Sequence, residues 1–108
     1  MNTPLTDLEK LPTETILSEI GRLQNSNKHL IRSNAEMQEF DPALNDSDLK
    51  QAVNENEQVI LRQQEQMHNL IELIRQRLGD HAAREIESTV EEYRKQDEDL
   101  VNGSGVFL

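Results

Sequence analysis

The apolar residues of this chain fall into two long stretches with one spacing, and polar residues interrupt both stretches at matched places. In the first, Ile16, Ile20, Leu23, Asn27, Leu30, Asn34 and Met37 follow one another in steps of 4,3,4,3,4,3. In the second, Leu49, Val53, Asn56, Ile60, Gln63, Met67, Leu70 and Ile74 follow in steps of 4,3,4,3,4,3,4. Alternating steps of three and four keep side chains on one face of a helix and define a coiled-coil seam. The spacing predicts one helix from an N-cap at Thr13 to about Glu39, interrupted only by Gly21, which costs about 1 kcal/mol relative to Ala. Asp41-Pro42 stops it, Phe40 to Ser47 forms a loop, and Asn45-Asp46-Ser47 caps a second helix from near Asp48 to Gly79.

Each seam carries two amides, and these select a register. Folding the chain at the loop so that partner numbers sum to 90 pairs Met37 with Val53, Leu30 with Ile60, Leu23 with Met67, Ile20 with Leu70 and Ile16 with Ile74. The same rule sets Asn34 against Asn56 and Asn27 against Gln63. A slip of one helix by a heptad would place an amide against an aliphatic side chain, at a cost of about 1–3 kcal/mol. Polar seam residues that fix register are the best-attested use of such groups. The expected fold is therefore all-α, an antiparallel coiled-coil hairpin over 13–78 on the order of 40 Å long.

A second layer of apolar residues flanks the seam. Leu17 and Ile31 lie on one side of the first helix, with Ile71 and Leu78 on the same side of the second. Val59 and Leu73 lie opposite, and Leu61 further round. Contiguous apolar rows left exposed by a two-helix hairpin mark a partner surface, so these six flanking residues, Leu17, Ile31, Val59, Ile71, Leu73 and Leu78, are the candidate partner-binding set. The rows have an alternative use: residues after Gly79 could fold back and cover one of them as a third helix. Otherwise the second helix continues through Gly79 as an extended acidic rod.

The ends organise around this hairpin. Residues 1–12 form a lead-in in which Thr6-Asp7-Leu8-Glu9 has capping-box spacing and Leu11-Pro12 ends any turn. An acidic helical segment covers 79–101, with Ala82, Ile86, Val90 and Tyr93 as its apolar positions. Residues 102–108 form a Gly/Ser-containing tail that ends in Val106-Phe107-Leu108.

Composition narrows the function. Of 108 residues, 21 are Asp or Glu and 11 Lys or Arg, a net charge of -10. Phosphate-backbone binding needs clustered cations, so direct nucleic-acid binding is not expected. No basic region followed by an apolar run opens the chain and no stretch nears roughly 18 apolar residues, so neither signal peptide nor membrane span is expected. The absence of cysteine fits a reducing compartment. One Tyr, two Phe and no Trp suit an elongated aliphatic coiled coil better than a globule anchored on aromatics.

The residues of catalysis are not assembled. His29, His68 and His81 are single and separated, without the clustering a metal site needs. Glu91-Glu92 and Asp97-Glu98-Asp99 occupy consecutive helix positions and point in different directions. No Gly loop sits between a strand and a helix to cradle phosphate. The expectation is a non-enzymatic interaction protein with no cofactor.

Ile16–Ile20, His29-Leu30-Ile31-Arg32-Ser33-Asn34-Ala35, Asp48-Leu49, Val53-Asn54-Glu55-Asn56-Glu57 and Val59 together resemble the fungal ATPase-dedicated chaperone family, also called translation-machinery-associated. The likeness covers about residues 13–75 plus the apolar ending, and leaves 76–102 unmatched. It implies a stress-responsive assembly chaperone of the proteasome regulatory particle, cytoplasmic and also nuclear. Its client there is the N-terminal coiled-coil region of one base ATPase subunit, and the family name records ribosome association. The tail Val106, Phe107 and Leu108 is similar to endings that dock a terminal carboxylate on the proteasome core particle, departing from that pattern at Phe107, which lacks the tyrosine hydroxyl. Two other classes fit the same residues: a prefoldin-like or tethering subunit of a stable helical complex, and a structural homo-oligomer pairing through the outer rows.

Overall fold

The computed structural model describes residues 9–90. Helix α1 spans Thr13–Phe40 and helix α2 spans Ser47–Leu78, antiparallel to it. A third helix, α3, begins at residue 80 and runs through 90, the last described residue. The chain therefore adopts the folded-back form, a helical hairpin with an acidic third helix, and the straight rod is not formed.

α1 has 28 residues and α2 has 32. At 1.5 Å per residue α2 measures about 48 Å, which accounts for the 46 Å longest dimension. Thr13 is the first helical residue and not the cap; Pro12 holds the cap position without a side-chain bond. The Thr13 hydroxyl instead accepts from Arg77 Nη1 at 3.3 Å. Proline suits this place because its fixed φ preorganises the helix start and it has no N–H to satisfy.

The turn between the helices is built on two aspartates. Asp46 Oδ1 caps α2, accepting from the backbone N–H of Asp48 at 2.9 Å and Leu49 at 3.2 Å. Asp41 Oδ2 accepts from Asp46 N at 2.9 Å and closes the loop across its base. Leu44 sits between them at φ 50, a left-handed conformation that a branched residue tolerates only where the rest of the turn requires it.

The seam forms in the expected register. Asn56 Nδ2 donates to Asn34 Oδ1 at 2.9 Å, and Asn27 Nδ2 donates to Gln63 Oε1 at 3.3 Å. Both seam asparagines of α1 also reach the α2 backbone: Asn34 donates to the Val53 carbonyl at 3.3 Å and Asn27 to that of Ile60 at 3.0 Å. Both carbonyls lie three residues before the partner amide, so the two polar layers repeat one geometry a heptad apart. Gln63 adds a bond to Ser26 Oγ at 2.8 Å. Burying these amides is tolerable because each is met.

The aliphatic core gathers at the open end, away from the loop. Ile16, Ile20 and Leu23 of α1 pack with Met67, Leu70, Ile71, Leu73 and Ile74 of α2, and Ala83 of α3 is fully buried among them. Leu11, Ala82, Ile86 and Val90 pack around this cluster.

Candidate partner-binding surface

Residues seven apart share a helix face, so Leu17, Gln24 and Ile31 form one row on α1, and Ile71 and Leu78 form its counterpart on α2. Arg75 lies between the last two, four residues after Ile71. α3 settles on this side. Its Thr89 carbonyl accepts from Gln24 Nε2 at 3.5 Å, and Arg75 reaches both Asp80 and Glu87. Because Glu87 meets Arg75 and Thr89 meets Gln24, α3 runs back toward the loop, antiparallel to α2.

The consequence falls unequally on the candidate residues. Ile71 and Leu73 retain 5% and 3% of their exposure and belong to the chain's own core. Their expected place on an open face is corrected: fold-back closes the row around Ile71, and Leu73 joins the cluster packed by Leu11. Leu17 is 40% exposed and Leu78 55% exposed, while Ile31 and Val59 are half-buried. Leu61, two heptads before Arg75 on the same outer row, is 61% exposed. The structure thus keeps Leu17, Ile31, Leu61 and Leu78 available along one side of the hairpin. Phe40, at the loop end, is 84% exposed. Val106, Phe107 and Leu108 lie outside the described residues, as do Tyr93 and most of the Thr6–Glu9 capping-box sequence.

Sequence reasoning missed two contributors. Arg77 donates to the Leu11 carbonyl, to the Glu9 carbonyl at 2.7 Å and to Thr13 Oγ1, which straps the lead-in across the open end of the hairpin. Arg75 joins Glu72 at 3.3 Å as well as Asp80 and Glu87, and Arg84 pairs with Asp80 at 2.7 Å. Asp80 and Glu87 belong to the acidic segment that the sequence shows after Gly79, and both meet Arg75 of α2. The hydrogen bond that Arg75 donates to Glu87, with lesser contributions from Glu72, raises the Arg75 pKa further and keeps it cationic. On the exposed face of α1 the Arg22 hydrogen bond holds the Glu19 carboxyl below its ordinary value.

Among the described residues no group of three or more His, Cys, Asp or Glu could hold a metal ion. Among them, too, no helix is long and apolar enough to cross a membrane. What the described surface offers is a helical face with aliphatic rows, an arginine and a covering helix.

The TMA17 helical domain matches residues 5–82, from the lead-in to the first turn of α3. The chain belongs to this family. TMA17 is the ATPase-dedicated chaperone family, and its helical domain is related to proteasome assembly. No curated protein and no solved structure matches the chain. The matched span includes Arg75, Arg77 and Gly79 and stops before Glu87, the α3 partner of Arg75.

Proposed function

We propose that this protein is a non-catalytic assembly chaperone of the proteasome regulatory particle that binds the N-terminal coiled-coil region of one base ATPase subunit. The supporting observation is the family match over a hairpin that leaves Leu17, Ile31, Leu61 and Leu78 along one side. An unassembled ATPase coiled-coil helix exposes its own seam until its partner arrives. Shielding such a seam requires an aliphatic face of matching length, and a transient contact requires one that is only partly apolar. Binding takes place in the cytoplasm and nucleus, uses no cofactor and needs no direct contact with nucleic acid. Ribosome association, if made, runs through protein. The apolar ending Val106-Phe107-Leu108 supplies a second, terminal contact to a proteasomal subcomplex.

Affinity purification under mild stress tests the reading. Recovery of one free ATPase subunit, without complete proteasomes, is the expected result. Permanent co-purification with a fixed set of coiled-coil subunits would instead make the protein a stable tethering component. A mass that doubles with concentration and no ATPase would make it a homo-oligomer.

A further inference from the structure

A single residue separates α2 from α3. The helical hydrogen-bond ladder reaches it from both sides: Gly79 N donates to the Arg75 carbonyl at 3.0 Å, and Ala83 N donates to the Gly79 carbonyl at 3.3 Å. Only the Gly79 dihedral pair, φ 100 and ψ 170, turns the chain. That region is essentially closed to other residues. Returning one residue to helical angles would join α2 and α3 into a rod and lift Ala83, Ile86 and Val90 off the hairpin.

Over its described length α3 packs through Ala82, Ala83, Ile86 and Val90, two of them alanines. Its polar ties there include the Arg75 clasp on Asp80 and Glu87 and one long bond from Gln24. Beside Gln24 the surface opens into a shallow recess of about 210 Å³ lined by Gly21, Gln24, Asn25 and Lys28. Further along the same side lie Ile31 and the exposed Leu61. A helix with larger aliphatic side chains than Ala82, Ala83, Ile86 and Val90 would fill the face under residues 80–90 better.

We propose that α3 is an intramolecular stand-in for a partner's helix. The occupant that replaces it is an amphipathic helix with an aliphatic stripe at three- and four-residue spacing and a carboxylate placed to meet Arg75. α3 itself defines that chemistry, since it is the helix seated on the face, with Ala83, Ile86 and Val90 inward and Glu87 on Arg75. Gly79 is the hinge, and its straightening exposes the face. The identity of the biological partner rests on the function proposed above, whereas the exchange of helices does not.

The chain has no cysteine, so Gln24→Cys with Thr89→Cys gives a clean lock on the closed form. The probe is a labelled peptide with the sequence of residues 80–100, offered to the full chain. The Gly79→Ala chain, which disfavours the turn, is expected to bind it at least tenfold more tightly than the parent. The oxidised double-cysteine chain is expected to bind at least tenfold more weakly than its reduced form. Failure of the cysteine pair to cross-link, equal binding by locked and reduced chains, or no binding by Gly79→Ala would each overturn the proposal. ATPase coiled-coil segments run in parallel separate the two readings. If the 80–100 peptide obeys the lock and no ATPase segment binds either form, the ATPase reading fails and the stand-in holds. If an ATPase segment binds locked and reduced chains alike, its site lies elsewhere and the stand-in fails.

Discussion

Asn56 of α2 donates its amide to the side-chain oxygen of Asn34 of α1 at 2.9 Å, while Asn34 sends its own amide to the Val53 carbonyl at 3.3 Å. Asn34 is 8% exposed, so neither bond has water as a ready substitute. One heptad away Asn27 repeats the arrangement with Gln63 and Ile60. The hairpin is held by aliphatic burial, but these two layers decide which turn of α1 faces which turn of α2.

Asn34→Leu alone should lower stability by roughly 1–3 kcal/mol, because it strands the Asn56 amide in the seam. Asn34→Leu with Asn56→Leu should recover most of that loss or exceed the parent, since apolar volume replaces two amides. Urea unfolding of the four chains in the cycle measures this. Additive effects would show that the two residues act independently.

The two described glycines should respond oppositely to alanine. At Gly21 a Cβ meets nothing within 4 Å and the backbone is helical, so Gly21→Ala should stabilise by about 1 kcal/mol. At Gly79 a Cβ also meets nothing, but φ is 100. Gly79→Ala should therefore disfavour the folded-back form by roughly 1–3 kcal/mol through backbone conformation alone. Spin labels at residues 24 and 89 should move apart in the second variant and not in the first.

Arg77 serves three acceptors, two of them backbone carbonyls of the lead-in. Arg77→Ala should cost roughly 1–2 kcal/mol and speed amide exchange at Ile16, whose N–H bonds to the Pro12 carbonyl. Arg77→Lys should rescue little, because an ammonium cannot reproduce the fork of guanidinium donors. Unchanged exchange at Ile16 in Arg77→Ala would mean that the strap does not steady the helix start.

The clasp around Arg75 is solvent-facing, so salt should weaken it. Raising sodium chloride from about 0.05 to 1 M, where the screening length falls several-fold, should speed exchange at the α3 amides and leave the seam amides of α1 unchanged. Arg75→Gln should reproduce the high-salt pattern at low salt. Equal acceleration in α1 would place the effect in the whole bundle.

The seam was legible in the sequence because its amides interrupt both heptad patterns at distances that only one fold-over can reconcile. The outer rows were less so. Ile71 and Leu73 have the same spacing whether another chain covers them or this one does; for Ile71 the choice turns on the backbone of Gly79, and Leu73 lies in the cluster that Leu11 packs against. The Thr13 cap failed for a related reason. Its hydroxyl was claimed by Arg77, 64 residues away, and no local pattern announces such a bond. Leu17, Ile31 and Leu78 were readable as flanking residues, but their remaining exposure depended on where α3 comes to rest.

The proposed contact is between one unassembled ATPase helix and the aliphatic side of this hairpin. Native mass measurement of the purified full chain mixed with the N-terminal coiled-coil segment of each base ATPase subunit tests it most directly, with Leu17→Lys/Leu61→Lys as the surface control. These two positions are exposed, so the double change should preserve helicity. One segment should form a stoichiometric complex with the parent chain, and that complex should be lost with the control. Binding of no segment, or equal binding by parent and control, would contradict this contact.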